Sequence, residues 1–164
     1  MTAQEWVFAV LAVIGGAGAL RLVTSKNVIH AALYLVVTLA SVGGVYLLLA
    51  SEFVAWVQVL IYVGAIVVLL LFSLMLTRAP IGREALDNQQ RGAAAVVGVA
   101  ILAGLAYLML DAFRDTRIEL SSPSLTAGIG EQMFSTYVLP FEVVSFLLLA
   151  AMIGAIVLAR REEA

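Results

Sequence analysis

The sequence contains no cysteine and very little charge. Of its 164 residues, 12% are charged and 63% are hydrophobic, whereas soluble domains carry about 25% charged residues. Without cysteine the chain cannot form disulfides or ligate an iron–sulfur cluster through thiolates. The single histidine, His30, cannot build a multi-histidine metal or haem site alone; a polar residue at a helix start is the simpler interpretation. The net charge of −2 argues against nucleic-acid binding, which requires a basic face.

Long apolar segments determine the fold class. A helix needs about 20 residues to cross the roughly 30 Å hydrocarbon core of a bilayer. Apolar residues cover all sides of these segments, a pattern that differs from the alternation of a membrane β-barrel. We therefore predict an all-α, polytopic membrane protein, forming a single membrane domain over residues 1–164. Its five transmembrane helices are expected at about 6–20, 28–50, 53–77, 92–110 and 139–159.

The distribution of lysine and arginine predicts the orientation. Glu5 precedes the first apolar run while Arg21 and Lys26 follow it, which is the reverse of a signal peptide. With the N-terminus outside, only Arg114 and Arg117 lie on the external side. The cytoplasmic side then holds the other seven basic residues: Arg21, Lys26, Arg78, Arg83, Arg91, Arg160 and Arg161. This agrees with the positive-inside rule and places the C-terminus in the cytoplasm.

No charged residue falls in the middle of a predicted span. Charges inside a membrane usually mark ion or substrate paths, so this chain is not expected to pump ions alone. Glu52 lies in the short outer turn before the third span, where a solvated turn residue is the simpler interpretation. Glu142 lies one turn into the fifth span, where the helix dipole favours a carboxylate. The functional alternative for both is proton exchange at the outer face. The external loop 111–137 is too small for a catalytic domain.

The third predicted span contains the most unusual stretch, VQVLIYVGAIVVLLLF, residues 57 to 72. Only Gln58, Tyr62 and Gly64 interrupt its apolar run. Kinks and π-bulges tend to occur at glycine and often mark functional sites, and a buried phenol normally finds a hydrogen-bond partner or a water. In one interpretation Tyr62 bonds a neighbouring helix and Gly64 permits a close crossing. In the other, the segment is conformable and moves a tyrosine into or out of a polar path.

Three stretches resemble one known family. SEFVAWVQVLIYVGAIVVLLLFSLMLT, residues 51 to 77, resembles the third helix of the J subunit of bacterial respiratory complex I, the proton-pumping NADH:quinone oxidoreductase (NADH dehydrogenase subunit 6 family). KNVIHAALYLVV, residues 26 to 37, resembles the start of its second helix. LPFEVVSFLLLAAMIGAIVLARR, residues 139 to 161, resembles its fifth helix. The loop from Asp111 to Tyr137 carries no recognisable pattern.

The resemblance implies a role without redox chemistry in this chain. A J subunit lies in the bacterial plasma membrane, beside the quinone-site subunit and the small K-type subunit. It holds no cofactor itself, while the whole complex uses FMN, iron–sulfur clusters and quinone. Its third helix is expected to switch between α and π forms and so to gate a water path that serves proton translocation. The gating positions in this sequence are Tyr62, Val63, Gly64 and Ala65.

Three alternatives remain open at the level of sequence. The chain is also compatible with the equivalent subunit of a complex that takes electrons from ferredoxin, F420 or a hydrogenase, and only the partner subunits would distinguish these donors. A purely structural scaffold predicts that changes at Tyr62 and Gly64 leave pumping unaffected. A stand-alone transporter predicts transport by this chain alone, and the lack of a mid-membrane charge argues against it.

Overall fold

The computed structural model describes residues 2–76, 90–114 and 126–160, and in these ranges the regular structure is helical. The long helices are α1 (Ala3–Thr24), α2 (Val28–Leu48), α3 (Glu52–Leu76), α4 (Arg91–Ala112) and α6 (Val138–Ala159). A short helix, α5 (Thr126–Phe134), precedes α6. Five helices in the described residues are long and apolar enough to span a membrane. The predicted five-helix membrane fold is therefore confirmed, while the orientation of the termini stays a prediction.

Local hydrogen bonds explain where the first two helices begin. The hydroxyl of Thr2 accepts from the backbone N–H of Glu5 at 3.4 Å, and the Glu5 carboxylate accepts from the Thr2 N–H at 3.0 Å. This capping box starts α1 three residues earlier than predicted from apolar residues alone. The side chain of Asn27 caps α2 by accepting from the N–H groups of Ile29 and His30. His30 is thus an exposed residue in the first turn of α2.

The turn between α2 and α3 is tight and contains one left-handed residue. The N–H of Ser51 donates to the Tyr46 carbonyl at 3.0 Å, and Ala50 between the helices has φ of 55°. This is the six-residue bond of a Schellman motif, in which glycine is the usual left-handed residue. The motif turns the chain within three residues, so that α3 starts at Glu52 and packs directly against α2.

α1, α2 and α3 form the packed part of the chain, with α2 in the centre. Two glycines of α1 allow its close approach to α2. A Cβ at Gly18 would stand 2.8 Å from the Thr38 hydroxyl oxygen, and one at Gly15 would stand 3.3 Å from the Ser41 Cβ. Small residues permit this contact between membrane helices. Gly16, between these two positions, faces open space.

The chain divides into two compact units, Met1–Pro123 and Ser124–Ala164. In the first unit, the side chains of α4 from Gly92 onward are all exposed. In the second, α5 packs against the start of α6, where the rings of Phe134 and Phe141 meet edge-to-face at 5.2 Å. The predicted external loop 111–137 therefore contains a helix, and its residues 115–125 lie outside the described ranges. The single membrane domain stays a prediction.

Candidate functional site

The middle of α3 is not α-helical. Residues Gln58–Ile66 form a nine-residue π-helix, between α-helical segments Glu52–Val57 and Val67–Leu76. The π-helix contains all four positions to which the family resemblance assigns a gate, Tyr62 to Ala65. Its last ladder bond runs from the Val67 N–H to the Tyr62 carbonyl, five residues back. π-helical segments are rare and are frequently found at functional sites.

Burial along α3 shows the effect of this geometry. The positions least exposed to solvent are Ala55, Gln58, Val63, Val67, Leu71 and Leu74, together with Val57 beside Gln58. Leaving Val57 aside, the intervals along the sequence from Ala55 to Leu74 are 3, 5, 4, 4 and 3 residues. An α-helix repeats a face every 3 or 4 residues. The interval of five between Gln58 and Val63 is therefore the place where the π-helix shifts the register of the inward face.

Gln58 is the polar residue of this inward face. Its side chain is 8% exposed, and its amide Nε2 donates to the Leu39 carbonyl oxygen of α2 at 3.3 Å. Gly43 of α2 lies at this contact, where a Cβ would stand 3.6 Å from the Gln58 Cγ and 3.4 Å from Val59, both ordinary van der Waals distances. The carboxamide thus joins the first residue of the π-helix to α2.

Tyr62 faces away from α2. Its side chain is 46% exposed, and within the described part of the chain its hydroxyl forms no hydrogen bond. The described helices therefore supply no partner for this hydroxyl, and the interpretation in which Tyr62 bonds a neighbouring helix stays a prediction. The phenol is presented to whatever covers this face of α3: lipid, water or another subunit.

Gly64 lies opposite a backbone oxygen of the π ladder. A Cβ at this position would stand 3.4 Å from the Val59 carbonyl oxygen, five residues earlier. That distance is at the close limit of ordinary contact, so alanine fits with little adjustment and larger β-branched side chains fit less well. Without a Cβ, glycine leaves the backbone at this position less restricted than any other residue would.

The return from the π ladder to the α ladder leaves one carbonyl without a ladder donor. The Val67 N–H uses the Tyr62 carbonyl, and in the α-helix that follows, the next N–H pairs four residues back, with Gly64. These two bonds use the carbonyls of Tyr62 and Gly64, so the carbonyl of Val63 between them receives no backbone N–H of the helix. A backbone carbonyl in a membrane needs a partner, so this oxygen is a natural acceptor for a water or for a donor from another chain.

The two carboxylates predicted to lie at the outer face, Glu52 and Glu142, belong to different units. Glu52 is the first residue of α3 and is exposed, a position where the helix dipole favours negative charge. Glu142, on α6, lines an apolar cleft of about 370 Å³ together with Phe134, Phe141 and neighbouring α6 residues. Each is accessible within its own unit. Their predicted role in proton exchange stays a prediction.

Sequence reasoning missed the importance of Gln58 and Val67. Gln58 was noticed only as an interruption of an apolar run, although a lone carboxamide inside a membrane span is itself a signal because it requires a hydrogen-bond partner. Val67 is 1% exposed, and no pattern distinguishes it from the valine that follows it. Its burial depends on the register shift, which the sequence does not display.

Comparison with known proteins identifies the family. The sequence profile described as NADH-ubiquinone/plastoquinone oxidoreductase chain 6 matches residues 18–158, which includes the whole of α2 and α3. The chain belongs to this family.

Chain 6 relatives match over most of their length. NAD(P)H-quinone oxidoreductase chain 6 of Leptolyngbya boryana is 41% identical, covering 94% of this chain and 79% of the relative. NADH-quinone oxidoreductase subunit J of Rhodobacter capsulatus is 37% identical, covering 96% and 81%. F(420)H(2) dehydrogenase subunit J of Methanosarcina mazei is 38% identical, covering 95% and 90%. The resemblance stated from the sequence is confirmed, and the chain is a multi-pass membrane subunit of a quinone oxidoreductase complex.

Proposed function

We propose that this chain is the J-type subunit of a proton-translocating NADH:quinone oxidoreductase and that the π-helix of α3 is a conformational gate on a water path. The observation that carries the proposal is the nine-residue π-helix at Gln58–Ile66. In a chain of this family, a π-helix at the predicted gate positions is best explained as one state of a helix that changes register. The chain contributes structure and gating, and the redox centres belong to other subunits.

The register change has a definite consequence for Tyr62. In the π form the inward position after Gln58 is Val63, five residues on. In an uninterrupted α-helix it would be Tyr62, four residues on, because each residue turns the helix by about 100°. The switch therefore exchanges an apolar side chain for a phenol that both donates and accepts hydrogen bonds. In the proposed gate, this exchange makes or breaks a chain of waters beside α3.

The exposed surface of the chain supports a position among other subunits. Large apolar side chains cover α4 and α6, and the described residues of these helices are exposed. In the assembled complex these faces meet lipid or other membrane subunits. By family resemblance, we place the chain beside the quinone-site subunit and the K-type subunit. FMN, iron–sulfur clusters and quinone are assigned to the rest of the complex.

A matched pair of variants tests the gate. Tyr62→Phe removes only the phenol oxygen, and Tyr107→Phe makes the same change on α4. In membrane vesicles from the native host, protons pumped per NADH oxidised should fall in Tyr62→Phe and stay at the wild-type value in Tyr107→Phe. Both variants should assemble normally on a native gel. Equal pumping in the wild type and in both variants would favour the scaffold interpretation instead.

The electron donor is a separate question, because the relative from Methanosarcina mazei is named as a subunit of an F(420)H(2) dehydrogenase. The tagged chain, purified in mild detergent and run on a native gel, distinguishes a complex that oxidises NADH from one that oxidises reduced F420. A large tagged band that oxidises NADH supports our proposal. A large band that oxidises reduced F420 and not NADH would assign the chain to the second type of complex.

A further inference from the structure

The inward face of α3 has two contact regions on α2, one on each side of the register shift. The first region consists of Ala55, 3% exposed, and Gln58, whose amide donates to the Leu39 carbonyl at 3.3 Å. The second consists of Val67, the most deeply buried large side chain in the described residues, in the segment Val67–Leu76 that packs on α2. Val67 lies nine positions after Gln58 in the sequence.

Both regions can face α2 only while the helix is in its π form. In an uninterrupted α-helix, nine residues correspond to a rotation of about 900°, so Gln58 and Val67 would point about 180° apart. With Gln58 kept on α2, the α register would bring Tyr62, Ala65 and Leu69 to the inward face and turn Val67 outward. With Val67 kept on α2, the carboxamide of Gln58 would leave its acceptor.

We propose that the π form of α3 is held by a two-point clamp on α2, formed by the hydrogen bond from Gln58 to the Leu39 carbonyl and by the buried side chain of Val67. Gln58 is thus a positioning residue for the register of Tyr62 and touches no substrate. The inference concerns the same segment as the proposed gate, and it rests on that proposal only for its effect on pumping.

The geometry explains why both contacts are needed. Loss of either one allows the helix to recover the α ladder while the other contact stays in place. Without the Gln58 bond, the segment Glu52–Val57 is the part that turns. Without the Val67 side chain, the segment Val67–Leu76 turns. The clamp therefore predicts both the direction of the shift in the population and the half of the helix that moves.

Electron cryo-microscopy of the intact complex from the native host tests the clamp, with particles classified by the register of α3. Gln58→Met preserves the length of the side chain and removes the donor. Val67→Ala removes the buried side chain. Val68→Ala is the matched control, because that neighbouring valine is 58% exposed. The measured quantity is the ratio of α to π particles among assembled complexes, so a lower yield of complex does not alter it.

Gln58→Met should raise the ratio of α to π about threefold, the change expected for loss of an average interhelical hydrogen bond in a membrane. Val67→Ala should raise it as well, with Val67–Leu76 rotated and Gln58 still on α2. Val68→Ala should match the wild type. If every wild-type particle is π, the same series is repeated in a Gly64→Val background, because a β-branched side chain fits the π form less well beside the Val59 carbonyl, 3.4 Å from the new Cβ. Equal ratios in all variants would overturn the clamp.

The outcomes separate the clamp from the gate. If the ratio changes while protons pumped per NADH stay at the value of Val68→Ala, the clamp stands and the gate is wrong. If the ratio does not change, the clamp is wrong, whatever Tyr62→Phe does to pumping.

Discussion

Replacing Gly64 with valine tests the gate through the backbone of α3. In the π form, the new Cβ would stand 3.4 Å from the Val59 carbonyl oxygen. The γ-carbons of valine extend beyond this Cβ, and valine has essentially one favoured χ1 rotamer in a helix, so few orientations can keep them clear of that oxygen. Displacing χ1 from its rotamer costs about 0.5–1.5 kcal/mol. A cost of about 1 kcal/mol to the π form alone would lower the ratio of π to α roughly fivefold.

The assay compares three quantities in membrane vesicles from the native host: assembled complex on a native gel, the rate of NADH:quinone reduction, and protons pumped per NADH. Gly64→Val should reduce proton pumping well below the fraction of complex that assembles. The matched control is Gly98→Val on α4, where an added Cβ meets nothing within 4 Å. Equal loss of assembled complex and of activity in Gly64→Val, or the same pattern in Gly98→Val, would refute the reasoning.

Two further predictions concern packing and the interhelical turn. Gly18→Val should lower the amount of assembled complex on a native gel, because its Cβ would stand 2.8 Å from the Thr38 hydroxyl oxygen; Gly16→Val, in open space, should not, and similar losses for both would contradict this role for the α1–α2 contact. Ala50→Gly should raise the temperature at which the complex dissociates, because it relieves a left-handed strain of roughly 1 kcal/mol at φ of 55°. A lower dissociation temperature would show that the turn depends on the alanine side chain.

The sequence predicts the membrane helices well because their length is set by the bilayer. The third span was expected at 53–77 and is found at Glu52–Leu76. The first was expected at 6–20 and extends over Ala3–Thr24, because hydrogen bonds of Thr2 and Glu5, rather than hydropathy, determine its start. Apolar length thus identifies a span, while capping side chains determine where its helix begins.

The extent of the π-helix could not be predicted from residue pattern. Apolar side chains surround α3 on all sides, so its sequence has no periodicity that would distinguish 3.6 from about 4.4 residues per turn. Positions 62 to 65 are indicated by family resemblance, and Gly64 also stands out as an unusual glycine within an apolar span. The lone carboxamide of Gln58 indicates a need for a hydrogen-bond partner, but the partner could not be predicted, because it is the backbone oxygen of Leu39, and a backbone acceptor leaves no mark on the sequence. The burial of Val67 could not be predicted for a different reason: it follows from the register shift of the π-helix.

In the proposed gate, water would act on the register of α3 through its backbone. An α-helix in a membrane satisfies its backbone internally, whereas the π form leaves the Val63 carbonyl without a ladder donor, and an unsatisfied group in lipid costs several kcal/mol. A water or a donor from a neighbouring subunit removes that cost. A water bound to the Val63 carbonyl stabilises the π form. By linkage, the π form in turn favours the binding of water at that carbonyl. In the proposed gate, formation of the water chain and the change of helix register are therefore thermodynamically coupled. The clamp at Gln58 and Val67 determines how much hydration is needed to shift it.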